Sequence, residues 1–191
     1  NETWAIAWYP FILLGIARVV SQPQLKNIIY LTFFVAMLML SHNPMLMIFA
    51  PLALAWTAFW LWQRKTIKPV LHLTISGLWA LGLAAFFTLP VLIESKFAHL
   101  ETLTIGYFNY LAHFLDLNQL FIRMNWGYGE SVYGPADTMS FNLGHLHWIL
   151  WAVTSAVALL TWRKSKSISQ ISILVSVLTL LYTFLTHWKA T

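Results

Sequence analysis

Apolar residues run in long blocks along this chain, and polar residues gather between them. Charge-free runs extend over residues 27–63, 69–93, 138–162 and 167–188. A helix needs about 20 apolar residues to cross a bilayer, so each run is long enough to cross at least once. With the apolar stretch WAIAWYPFILLGIARVV ahead of them, these runs, broken at their turn signals, predict six spans, at 4–20, 25–40, 44–62, 70–93, 146–162 and 168–186. The expected fold is all-α: a polytopic transmembrane helical bundle of about six spans, with a long ordered extracytoplasmic loop at 94–145.

The second and third spans share one run, interrupted by SHNPM at 41–45. Asn43 followed by Pro44 suits a helix start, a capping side chain and then a residue whose missing N–H is not needed in the first turn. The preceding helix of about 16 residues rises only about 24 Å, short of a hydrocarbon core of about 30 Å. The SHN turn is thus expected below the outer surface, where irregular backbone survives inside protein or beside water. His42 and Asn43 are candidates to line an outward-open recess. The competing reading is a capped hairpin in a locally thinned bilayer.

Of 191 residues, 59% are hydrophobic and 9% charged, which sets the chain apart from ordinary soluble domains. The formal charge of +5 does not point to nucleic acid, because the basic residues form small clusters between apolar runs. Arg18, Lys26, Arg64, Lys65, Lys68, Arg163, Lys164 and Lys166 all fall on one side of the predicted topology. The acids Glu2, Glu94, Glu101, Asp116, Glu130 and Asp137 fall on the other. By the Lys/Arg bias, this is a multi-pass cell-membrane segment with both termini and the 94–145 loop extracytoplasmic. Trp60, Trp62 and Trp162 would mark the inner rim and Trp4, Trp8, Trp148 and Trp188 the outer one, with Trp56 and Trp79 filling lipid-facing surface. The start at Asn1, with no signal-peptide pattern, suggests a piece of a longer protein whose remainder is a partner of this part.

Loop 94–145 is too rich in Phe, Tyr, Trp and Leu to be left in water. YFNYLAHFLDLNQLFIRMNW at 107–126 predicts an interfacial helix. WGYGESVYGPADTMSFNLG at 126–144 carries turn chemistry at Gly127, Gly129 and Gly134–Pro135 and should fold back as a cap. Glu94 stands where the fourth span meets the headgroups. It can hold a metal-bound phosphate, act as a base, or pair with Lys96. Asp137 can bind or cap a turn. His145 and His147 are two residues apart and would not share a helix face. A zinc site would need at least a third ligand, such as His113, and none is assigned.

With no cysteine there is no thiolate nucleophile or disulfide. Neither GxSxG, a P-loop nor HExxH occurs, and no catalytic constellation is visible from spacing. NET at 1–3 matches a glycosylation acceptor, a triplet common by chance.

LSHNPM, LPVLIESKF and above all WGYGESVYGPADTMSFNLG resemble the 6-pyruvoyl-tetrahydropterin synthase-related integral membrane family. Its members look like class C glycosyltransferases, which take sugars from polyprenyl-phosphate carriers on the extracytoplasmic face. The resemblance implies a larger enzyme whose acidic catalytic loop lies outside this stretch, so catalytic residues are not assigned. It does not imply pterin chemistry.

The preferred reading is the later, non-catalytic part of such a protein, acting on a lipid-linked sugar. The bilayer and a polyprenyl-phosphate lipid carrier are its expected partners. The alternative is a transport or cell-envelope structural protein without chemistry of its own. In the first reading Glu94, Asp137, His42, Asn43 and Trp126 form one outward-facing substrate-binding recess. A divalent cation there would bridge oxygen ligands to a lipid phosphate.

Overall fold

The computed structural model describes residues 2–99, 105, 109, 113–123, 127–132, 137–161 and 166–187. Every regular element among them is helical. The order is α1 (Glu2–Ser21), α2 (Leu25–Ser41), α3 (Asn43–Arg64), α4 (Pro69–Glu94), a 3₁₀ turn (Ser95–Phe97), α5 (Leu117–Phe121), α6 (His145–Leu160) and α7 (Lys166–His187). Three apolar stretches, Thr3–Ser21, Pro44–Arg64 and Pro69–Phe97, are long enough to cross a membrane, while α2, α6 and α7 contribute shorter apolar helices. The chain forms two compact units, Asn1–Ala98 and His99–Thr191.

In the first unit α1 packs on α2 and α3, and α2 on α4. Ile12, Ile16, Val19, Leu31, Leu38 and Phe49 form its main buried cluster. Two features allow close helix approach. A Cβ on Gly15 would lie 3.0 Å from Leu31 Cδ1. On α4, Ser76, Ala80 and Ala84 recur every fourth residue and are fully buried, with Ala80 and Ala84 clustered with Ala36 and Met39 of α2. Spacing small residues this way lets backbones approach where apolar solvent supplies no hydrophobic drive. The larger apolar side chains point outward, among them Leu78, Leu83, Phe86 and Leu92.

Local chemistry sets the ends. Pro44 lies in the first turn of α3, as read from sequence, and Pro69 starts α4. The N-cap of α3, however, is His42 and not Asn43, with an extended backbone and no side-chain cap bond. Trp56 also departs from its expected lipid-filling role. Its Nε1 donates to the Leu13 carbonyl at 2.9 Å, tying α3 to α1.

Polar contacts fix the direction of the bundle. Trp8 Nε1 donates to Ser41 Oγ (2.9 Å) and Tyr9 Oη to the Met45 carbonyl (2.8 Å). At the opposite end Arg64 donates to Ser21 Oγ (3.0 Å). Arg18, Lys26, Arg64, Lys65 and Lys68 therefore share one end of this unit, and Glu2 and Glu94 lie toward the other.

Candidate functional site

The turn between α2 and α3 is set back from the acidic end. Trp8 bonds Ser41 six residues inside α1, so the turn lies about 9 Å short of Glu2 along the axis. Thr32 Oγ1 donates to the Ser76 carbonyl (3.2 Å), which aligns α2 with α4. From that level α2 rises about 15 Å to His42 and α4 about 27 Å to Glu94, a difference of about 12 Å. The SHN turn is thus set back from both Glu2 and Glu94 along the helix axes. His42 is half-buried, and its Nδ1 is enclosed without a hydrogen-bond partner among the described residues. Asn43 opens α3, and its side chain lies outside the described set.

One turn below, an apolar cleft of about 430 Å³ runs between the helices. Leu38, Leu46 and Phe49 line it near the SHN turn, and Leu31 and Leu73 line it toward the basic end. Its size falls within the range of small-ligand pockets.

Glu94 closes α4 and is exposed, and its side chain makes no cap hydrogen bond among the described residues. It does not pair with Lys96, whose Nζ lies 4.9 Å from the Phe97 ring centroid. Glu94, His42 and Asn43 belong to the first unit and Asp137 to the second. Trp126 lies outside the described residues, as do 133–136 with the Gly134–Pro135 turn.

Asp137 is only 1% exposed. One oxygen accepts from Gln119 Nε2 (3.0 Å) and the other from the Met139 amide (2.9 Å), the local bond that defines an Asx turn. Gln119 returns its Oε1 to the Asp116 amide (2.8 Å), completing a capping box at α5. Of the two roles open to it from sequence, binding or capping a turn, the carboxylate fills the second here and also ties two segments of the loop together. Around it Tyr128 and Met139 form an antiparallel bridge, Ser140 N donates to Gly127 O, and Leu143 N donates to Leu120 O, each backbone bond 3.0 Å. Asn142 bonds the Arg123 carbonyl (3.0 Å) and the Gly144 amide (2.6 Å). Phe121 meets Trp148 edge-on at 6.0 Å, seating this fold on α6.

Two further points correct the sequence reading. The interfacial helix expected over 107–126 is, in its described part, one short helix at Leu117–Phe121. The capping box starts it at Asp116, and Ile122 and Arg123 both donate to Asn118 O at its end. His113 Nδ1 lies 3.3 Å from the buried Ser131 Oγ, a pairing that spacing did not reveal. Among the described residues no three His, Asp or Glu side chains gather as a metal site.

Compared with protein families, curated proteins and solved structures, the chain matches none.

Proposed function

We propose that this chain serves a glycosyltransferase-like membrane protein acting at the extracytoplasmic face on a lipid-linked sugar, as a part that holds the carrier and not one that performs the transfer. The observation that carries this reading is the recessed SHN turn standing over the apolar cleft. A polyprenyl phosphate needs a polar site for its head and an apolar slot for its first isoprene units, stacked along the membrane normal. His42, with an enclosed nitrogen lacking a partner among the described residues, supports the polar site; Leu38, Leu46 and Phe49 support the slot. Glu94 and a divalent cation belong to the same proposal, further out.

In this reading all six apolar helices cross a cell membrane, with the basic end cytoplasmic, as the Lys/Arg bias requires. A second reading, an envelope-structural role without chemistry, draws on the loop, where Asp116, Gln119 and Asp137 bond one another.

The test is cross-linking of the protein in bilayer nanodiscs with a photoreactive polyprenyl-phosphate analogue. The expected result is labelling at Leu38, Leu46 and Phe49 that unlabelled carrier competes away. Labelling confined to outward residues such as Leu83 and Phe86, or insensitive to competitor, would reject the carrier role.

A further inference from the structure

At the basic end of the first unit, a second cavity of about 760 Å³ opens between α1, α2 and α3. Arg18, Ser21, Gln22, Lys26, Tyr30 and Trp60 line it. We infer that it is a binding site for the phosphate of an anionic lipid headgroup.

Charge comes first. From Thr3 to Ile93 the sequence contains no Asp or Glu, yet this end carries Arg18, Lys26, Arg64, Lys65 and Lys68. Glu2 and Glu94 lie toward the opposite end, so the unit's own carboxylates do not neutralise the cavity. Its counter-charge must come from outside. A guanidinium and an ammonium lining one cavity match phosphate chemistry, the first as a planar two-pronged donor and the second as a point charge.

Preorganisation comes second. The Arg18 guanidinium carbon lies 4.9 Å from the Tyr30 ring centroid, and this stacking limits its rotamers before any ligand arrives. Arg64 fixes Ser21 by a 3.0 Å bond, and buried Asn27 donates to the Gln22 carbonyl at 2.7 Å, so the α1–α2 turn that forms the rim is tied from both sides. Less freedom is then lost on binding. Trp60 supplies an aromatic wall, and its Nε1 has no acceptor among the described residues.

Selectivity follows from the same inventory. A zwitterionic head would bring an ammonium beside Arg18 and Lys26 with no carboxylate to receive it. Phosphatidylglycerol or cardiolipin brings phosphate alone, as expected of basic pockets between helices at the cytoplasmic surface. The inference rests on the helices lying in a membrane and is independent of the sugar-carrier role.

The experiment is native mass spectrometry of the protein released from nanodiscs of mixed phosphatidylcholine and phosphatidylglycerol, with and without inorganic phosphate. The wild type should retain phosphatidylglycerol selectively. Arg18→Gln with Lys26→Gln should lower that retention by about 30-fold, from the loss of two interfacial cations. Lys65→Gln with Lys68→Gln removes the same charge outside the cavity and should retain the lipid. Equal loss in both double variants would overturn the site, as would wild-type retention of both lipids alike, which needs no variant. Full displacement by inorganic phosphate would overturn the lipid source and leave a free phosphate ligand; persistence of the lipid supports the headgroup. Failed carrier cross-linking leaves these outcomes unchanged, so the two proposals fail separately.

Discussion

The helices and the loop of the second unit treat polar side chains in opposite ways. In the helices, hydroxyls mostly turn back on their own backbone: Thr57 to Ala53, Ser76 to His72, Thr88 to Ala84 and Thr154 to Leu150. Such bonds stay within one turn and specify little about neighbours. In the loop, Gln119 joins Asp116 to Asp137, and Asn142 joins Arg123 to Gly144. There the polar side chains define the tertiary structure. The difference teaches where a substitution should be costly: polar changes should be severe in the loop and mild between helices.

The largest effect is expected at Asp137. Replacement by Ala leaves Gln119 Nε2 and the Met139 amide without their acceptor in a buried setting, a loss of about 3 kcal/mol. Hydrogen exchange in peptides covering 117–123 and 137–144 should rise together, with α1–α4 unaffected. Protection unchanged in the loop would break the contrast at its strongest point.

Next comes Gly129. A Cβ there would sit 1.7 Å from Thr138 Oγ1 and 2.7 Å from Thr138 Cβ. Gly129→Ala should cost about 2 kcal/mol by overpacking. Thr138→Ala removes the first clash and leaves the second, so the double variant should recover stability only in part, read by thermal unfolding in detergent. Gly144→Ala should cost somewhat less, about 1.5 kcal/mol. Gly144 has φ of 82°, disfavoured for L side chains, and its new Cβ would meet His147 Nδ1 at 2.7 Å.

The same contrast explains what could be read from sequence. Six apolar helices were legible to within about two residues at each end, because their signals are local: uninterrupted apolar runs, Pro44 and Pro69 at helix starts, Arg64 and Lys65 at a helix end. The setback of the SHN turn was legible from the shortness of α2. The pairing of Asp137 was a different matter. Its partner Gln119 lies 18 positions earlier in sequence, and no periodicity marks that pairing. The capping box at Asp116 was hidden inside an apolar stretch that reads as one longer helix. The Arg18 cavity was missed for a related reason, since Arg18, Lys26 and Trp60 reach one cavity from three helices.

The smallest predicted effect sharpens the comparison from the helical side. Thr32 is buried, and its Oγ1 donates across the α2–α4 interface to the Ser76 carbonyl at 3.2 Å. Thr32→Val keeps the branched shape and deletes this donor. The Ser76 carbonyl keeps the second lone pair used along its own helix, so no backbone group is orphaned. Interhelical bonds of this kind average about 0.6 kcal/mol in an apolar solvent, because the separated helices also satisfy their hydroxyls locally. Thr32→Val should therefore shift thermal unfolding by less than a quarter of the Asp137→Ala shift. A loss as large as at Asp137 would mean that the α2–α4 seam depends on polar specification and not on the close approach of Ser76, Ala80 and Ala84. Ala80→Leu separates the two cases, because a seam held by small residues should not accommodate the larger side chain.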